Sequence, residues 1–258
     1  MRAIRSITLG FGMVSIPVKV YKSVDDRSIS FASLHTECQT RIKMPKYCPT
    51  CDRQVEASEI LKAYPLDEKG GHYVPVTNEE LQTLPLSSIK TIQVDGFVKT
   101  IEDPRWFDTP YVLAPDEVGV KAFVLFTKAM AELGVIGVAK TCFREGREHL
   151  CAIRPTGDGC LLLQTMHWGD ELRDYGDIIP FADVSEKEME MAKALIAALS
   201  GEVDLYSYKD EYRQALVELI SAKIEGKTIE VAVAEPKRQE GDLVEQLMAS
   251  LQAVGAGK

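Results

Sequence analysis

Met13 to Tyr21 alternates cleanly: Val14, Ile16, Val18 and Val20 point one way, Ser15 and Lys19 the other. That period of two predicts a half-buried strand. Pro17 lacks a backbone donor and assigns this strand to a sheet edge or a bulge, with Gly10 and Gly12 allowing a bend ahead of it. Ile29 to Leu34 reads as a short strand, Val55 to Tyr64 as a short helix and strand, and His72 to Val76 as a strand following the Gly70-Gly71 turn. Thr77 and Glu80 form a capping box, so a short helix should run to Leu84 and stop at Pro85. Ile89 to Val98 is a longer strand, and Trp106-Phe107 with Tyr111-Val112-Leu113 an apolar patch. The period then changes. Ala122, Phe126, Ala129, Met130 and Leu133 share one stripe of a helix from Val118 to Leu133, ended by Gly134. Three strands follow at close spacing, Val135 to Phe143, Arg147 to Arg154 and Cys160 to His167, joined by Gly-containing turns. Such a meander belongs to an antiparallel barrel or sandwich, and Cys142, Cys151 and Cys160 read as small buried hydrophobes within it.

After Pro180 the pattern is helical. Ser185 and Glu188 form a second capping box, opening a helix to about Leu199 with Met189, Ala192, Leu195, Ile196 and Leu199 as its apolar stripe. A further helix spans roughly Lys209 to Ile224, with Tyr212, Leu216, Leu219 and Ile220 on one face and Gly226 closing it. This arm has little core of its own; it packs either on a second subunit or back on its own barrel. The polar stretch Glu235 to Gly241 precedes a short amphipathic helix, Asp242 to Ala253. It shows Leu243, Leu247 and Leu251 with Val244 and Met248 beside them, and a lone helix of this length needs a partner, in another protein or in its own domain.

Composition narrows the class. With 258 residues, 45% of them hydrophobic, the chain can build one large domain or a core with an appendage. The opening stretch is broken by Pro17 and Lys19 and does not read as a signal peptide, and no run is long enough to span a membrane. Six unevenly spread cysteines do not form a secreted disulfide framework, so the expected compartment is the cytoplasm. The net charge of -9 argues against a generic nucleic-acid binder, yet residues 1–60 carry nine Lys/Arg against six Asp/Glu, leaving 21 against 33 for the rest.

The most specific chemistry lies between His35 and Cys51. His35 and Cys38 are separated by two residues, as are Cys48 and Cys51, so two tight turns can together supply four ligands to a structural zinc ion. Arg41, Lys43 and Lys46 lie between the pairs and Arg53 just beyond, and a rigid loop bearing these cations suits a polyanion. The alternatives are a metal-free loop with an exposed Cys-x-x-Cys, and a zinc deaminase or hydrolase with Glu37 as proton shuttle. Against the latter, Tyr47 and not proline precedes Cys48, the gap is too short for the intervening helix-strand-helix unit, and Cys38 would have no role. A thioredoxin-like pair needs a βαβ context that the flanks lack.

Taken in order, these segments resemble the bacterial Ku proteins, the DNA-end-binding factors of nonhomologous end joining. The resemblance covers nearly the whole chain: Phe11-Gly12-Met13-Val14-Ser15-Ile16-Pro17-Val18-Lys19-Val20-Tyr21, Phe31-x-x-Leu34-His35, Asp103-Pro104 with Trp106-Phe107, and Tyr111-Val112-Leu113-Ala114-Pro115. Its most specific part is Arg147-Glu148-His149-Leu150-Cys151-Ala152-Ile153-Arg154-Pro155, with Gly157-Asp158-Gly159 and Glu171-Leu172-Arg173-Asp174 following, and the tail from Asp242 to Leu251 matches as well. Arg5 stands where relatives often carry tryptophan, and Leu205 where proline is frequent. The resemblance implies a β-rich mixed fold: an antiparallel β-barrel core over 1–182 with inserted helices and the zinc knuckle at 35–51, a helical arm over 183–226 for dimer packing, and a linker and tail over 227–258. Two copies would form a ring that threads a DNA end. No catalysis is implied. The tail would recruit an ATP-dependent DNA ligase, ligase D, in a cytoplasmic, nucleoid-associated setting. The cations then offered to phosphate are Arg41, Lys43, Lys46, Arg53, Lys140, Arg144 and Arg147, each also readable as a solvated surface charge. A zinc-knuckle adaptor that binds only protein is the remaining alternative.

Overall fold

In the computed structural model, residues 2–67, 71–83, 90–144, 147–178, 180–227 and 243–256 are described. Seven strands close into a barrel: β1 (Arg5–Phe11), β2 (Val14–Lys22), β7 (Thr91–Val98), β8 (Phe107–Pro115), β9 (Ile136–Arg144), β10 (Arg147–Pro155) and β11 (Leu161–Met166). Their order around the barrel is β1-β2-β8-β11-β10-β9-β7. Between β2 and β7 the chain leaves the barrel and forms β3 (Tyr47–Cys48) with β4 (Arg53–Gln54), then β5 (Lys62–Pro65) with β6 (Tyr73–Val76), and the short helix α1 (Asn78–Gln82).

The barrel is mixed, which corrects the antiparallel expectation. β1 runs parallel to β7, with Leu9 opposite Ile92 and Phe11 opposite Val94, while the other pairs are antiparallel. Closure demands this: the long excursion returns the chain beside β1 in the same direction, as a crossover connection permits and a hairpin does not. Closure also leaves no unpaired edge.

Two local expectations are corrected as well. β2 is not an edge strand, since it pairs with β1 on one side and β8 on the other. Pro17 is tolerated because the β8 ladder starts one residue later, at Val18 opposite Pro115, so no sheet donor is missed. Ile29 to Leu34 is not a strand, apart from a single bridge between Leu34 and Arg41. β1 itself escapes a reading that treats Gly10 as part of a bend. Gly10 stays extended and makes room for a neighbour, because a Cβ there would lie 3.0 Å from Gln93 Oε1. The reversal comes at Gly12, whose φ of 56° precedes Met13 in a two-residue turn joining Phe11 to Val14.

Alternation fills the interior. Ile7, Leu9, Ile16, Val18, Val20, Ile92, Leu113, Cys151, Ile153, Leu161 and Leu163 are all buried in one cluster. Helix α2 (Val120–Leu133) lies across the end where β1 and β7 finish and β9 begins: Phe126 stacks on Phe11 at 4.3 Å between ring centroids and meets Phe97 at 6.2 Å. Gly134 ends α2 in the left-handed conformation, φ 58°, with its N–H donating to Met130 and Ala131 carbonyls. Ahead of α2, a Cβ on Gly119 would stand 2.8 Å from the Pro17 carbonyl oxygen, which already accepts from the Asp116 N–H at 2.9 Å. Gly119→Ala is therefore expected to cost about 1–3 kcal/mol of stability, as backbone overpacking does. Thermal melts would show it, with Gly157→Ala as the neutral control because nothing lies within 4 Å of its Cβ position.

The chain divides into two units, Met1–Arg27 with Phe31–Asp174, and Ser28–Ser30 with Tyr175–Lys258. In the second, the Ser185–Glu188 capping box opens α3 (Glu186–Leu199), Asp210 caps α4 (Glu211–Ile224), and α5 (Leu243–Ala256) packs against α3. Among the described residues, no helix is long and apolar enough to cross a membrane.

Candidate nucleic-acid and metal interface

The excursion between β2 and β7 cannot fold on a core. None of the described residues from Lys22 to Lys90 is buried. What order it has comes from turns, and the first two turns repeat each other. Leu34 is the Cα partner of Arg41, as Tyr47 is of Gln54. The Ile42 N–H donates to Ser33 O at 2.9 Å, and the Val55 N–H to Lys46 O at the same distance. Gln39 and Asp52, each directly after a cysteine, both adopt the left-handed conformation at φ 52°. These features of the first turn recur 13 positions on, so His35 corresponds to Cys48 and Cys38 to Cys51.

Non-glycine residues pay a steric penalty in the left-handed region, and its use twice after a donor pair marks a turn shaped around those donors. In the first turn His35 Nδ1 lies 3.2 Å from Cys38 Sγ. Nitrogen and sulfur bound to one tetrahedral zinc stand about 3.5 Å apart, from bond lengths near 2.0–2.1 and 2.3 Å. In the second turn, hydrogen bonds from the Cys51 backbone and thiol hold the Cys48 thiol below the usual cysteine range, with the Arg53 charge adding to them, while Cys51 is raised by the same contact. Hydrogen bonds from Thr40 lower Cys38. The first pair thus has a separation close to that of half a zinc site, and the second carries its two thiols on a turn of the same backbone form, a soft N/S donor set. The two halves are not gathered in one sphere: among the described residues, no three His, Cys, Asp or Glu side chains group closely enough to hold a metal. Glu37 is exposed on the first turn.

The candidate cations fall into two sets. Arg41, Lys43 and Lys46 are exposed between the knuckles, and among the described residues no ion pair engages them. Arg53 is occupied: it makes a bidentate pair with Glu59 at 3.0 and 2.5 Å, bracing the 3-10 turn at Ala57–Glu59. Tyr47 donates to Asp52 across the second turn. The second set lies on the β9–β10 ribbon, where Arg144 and Arg147 are direct Cα partners and Lys140 faces Leu150. Lys140 is half-buried and Arg147 exposed. Arg154 belongs to neither set: its guanidinium lies over the Phe107 ring at 4.5 Å. Arg5, at the start of β1, donates to the Phe143 carbonyl on β9.

Of the three cysteines expected to be buried within strands, Cys160 is only half-buried and lies one residue before β11, which corrects that expectation. Cys142 and Cys151 are buried, and burial pushes the Cys151 thiol up to about 12, an inert group at neutral pH.

The second unit holds the proposed partner residues. Val244, Leu247 and Leu251 of α5 are half-buried, Met248 is exposed, and Leu243 opens the helix. What sequence reading missed is how many large apolar side chains of this unit stay exposed. Phe181 is 92% exposed, Leu205 77%, Tyr206 98%, Tyr208 72% and Tyr212 77%. The run Leu205-Tyr206-Ser207-Tyr208 was the available signal, three large apolar residues in a short segment that belongs to no amphipathic stripe.

Residues 10–194 match the Ku family, described as the Ku70/Ku80 beta-barrel domain. A protein of Symbiobacterium thermophilum named Non-homologous end joining protein Ku is 38% identical over 262 residues, covering 99% of this chain and 64% of that protein. Its namesake from Archaeoglobus fulgidus is 37% identical over 258 residues, 98% of this chain and 100% of that one. A Bacillus subtilis protein of the same name is 33% identical over 251 residues, 95% and 79% of the two chains.

Proposed function

The chain belongs to the Ku family, and on that footing we propose that it binds double-stranded DNA ends without regard to sequence, as a homodimeric ring that serves nonhomologous end joining and recruits ligase D. The observation that carries the reading is the excursion from β2 to β7. It is long, none of its described residues is buried, and it presents the exposed side chains of Arg41, Lys43 and Lys46, which no ion pair engages among the described residues. A segment of that kind gains order from what it wraps. A DNA duplex supplies a dense row of phosphates, and phosphate contacts position a protein without reading bases.

Each component then has a role. His35, Cys38, Cys48 and Cys51 would hold a zinc ion if the two knuckles closed on it, and with four protein ligands such a site would be structural, fixing Arg41, Lys43 and Lys46 between the knuckles. Arg144 and Arg147 place a second pair of charges on a rigid barrel ribbon. The exposed large apolar side chains of the second unit are the surface offered to the second copy, and the apolar face of α5 is the surface offered to the ligase. The reading includes no catalytic step.

A closed ring admits duplex only by a free end, and this separates the proposal from ordinary charge attraction. Unlabelled linear duplex should displace a labelled linear probe, whereas covalently closed circles of equal length and concentration should not. Equal competition by circles would leave a surface binder without a ring, and absence of any salt-sensitive binding would favour a protein-only adaptor.

A further inference from the structure

We propose that the tail helix is held against α3 of its own chain and that a partner engages it only after release. This rests on the recruitment reading above and adds a control to it. The α3–α5 packing carries the inference. On α3, Met191, Ala192, Leu195 and Ala198 lose exposure, a stripe at helical spacing. The other side of α3 stays open, with Met189 46%, Ile196 66% and Leu199 63% exposed. On α5, Val244, Leu247 and Leu251 lose exposure while Glu245, Met248 and Gln252 stay open. Three of the five residues that make the tail an attractive ligand for another protein, Val244, Leu247 and Leu251, are therefore on the half-buried side of a helix that packs on α3.

The thermodynamics suit a latch. A 14-residue helix alone is marginal in water, so α5 gains its helicity from a surface. Fifteen residues separate Lys227 from Leu243, and a tether of that order keeps the tail near α3 at an effective concentration of about a millimolar. Even a weak helix pair is then mostly closed. A partner that needs the same stripe sees only the open fraction, so its apparent dissociation constant is raised by the inverse of that fraction, about tenfold if nine-tenths of tails are docked.

The test uses the full chain and its Leu195→Asp variant, with Ile196→Asp on the open side of α3 as control. Hydrogen exchange of the α5 amides should accelerate at least about tenfold in Leu195→Asp and stay unchanged in Ile196→Asp. Titration with the ATP-dependent ligase should show about tenfold tighter binding to Leu195→Asp than to the parent. α5 exchange that is equally fast in all three proteins would show that the tail is never held. Faster exchange without tighter ligase binding would show that the docked face is not the one the partner uses. Either result overturns the proposal. A ligase that ignores parent, variants and an isolated 242–258 peptide alike would instead defeat the recruitment reading, and the exchange data would still decide the docking.

Discussion

Cys48→Ser is expected to remove zinc from the chain and to weaken capture of DNA ends by on the order of a hundredfold. The size of the effect follows from what else supports the excursion. Its described residues include none that is buried, and its two-stranded pieces, β3 with β4 and β5 with β6, are too small to be stable alone. A structural zinc ion contributes apparent binding free energy of about 10–16 kcal/mol in small peptides, most of which appears as folding of the ligand loop. Losing one of four ligands would therefore release not one contact but the arrangement of Arg41, Lys43 and Lys46 as a set. The barrel should not notice. Among the described residues, its buried cluster draws on none between Lys22 and Lys90, so the main thermal transition stays in place. Cys142→Ser is the control, since that thiol is buried in the barrel and its loss should leave metal content near one per chain. Acid should mimic the mutation, because protons compete with zinc for thiolate and imidazole and affinity falls as pH falls. Elemental analysis and end-binding titration, run in parallel, check both halves. A parent protein free of zinc after purification in zinc-containing buffer would eliminate the site.

The parts of this fold that were legible in the sequence are those decided locally. Two capping boxes, Thr77 with Glu80 and Ser185 with Glu188, form as their spacing requires, with both reciprocal hydrogen bonds present. The β9–β10–β11 meander, α2 with its Gly134 cap, and the bounds of α3 and α4 follow from periodicity and turn residues. What failed was non-local. Nothing near Leu9 or Ile92 announces that β1 and β7 pair in parallel, because the partner lies across the whole excursion. Pro17 reads as an edge marker only until β8 is seen to stop short of it. The 107–115 stretch shows as an apolar patch because its burial is set by β2 and β11 on either side. At the candidate site, donor spacing was readable, but the 13-residue repeat of the two knuckles needed their backbone angles at Gln39 and Asp52. The Arg53–Glu59 pair was not legible either, because the loop backbone and its 3-10 turn bring Glu59 to Arg53.

Replacing Arg144 and Arg147 together with alanine should flatten the salt dependence of end binding without costing stability. The two residues are Cα partners on β9 and β10, and like charges so placed oppose the ladder by a few tenths of a kcal/mol to about 1 kcal/mol. If the fold were their only purpose, removing them would help it and do nothing else. If they meet phosphate, each contributes about 0.9 to the slope of log affinity against log salt. A single chain carrying both would then lose about 1.8, and a ring of two copies about 3.6. The slope change therefore counts subunits as well as contacts. At low salt the affinity itself should fall by on the order of tenfold per lost charged contact, taking about 1.5 kcal/mol for each. Melting temperature should hold or rise slightly, and zinc content should not change, since neither arginine lies in the knuckles. A double variant whose slope and affinity match the parent would remove the β9–β10 ribbon from the DNA path and leave the excursion as the sole candidate contact.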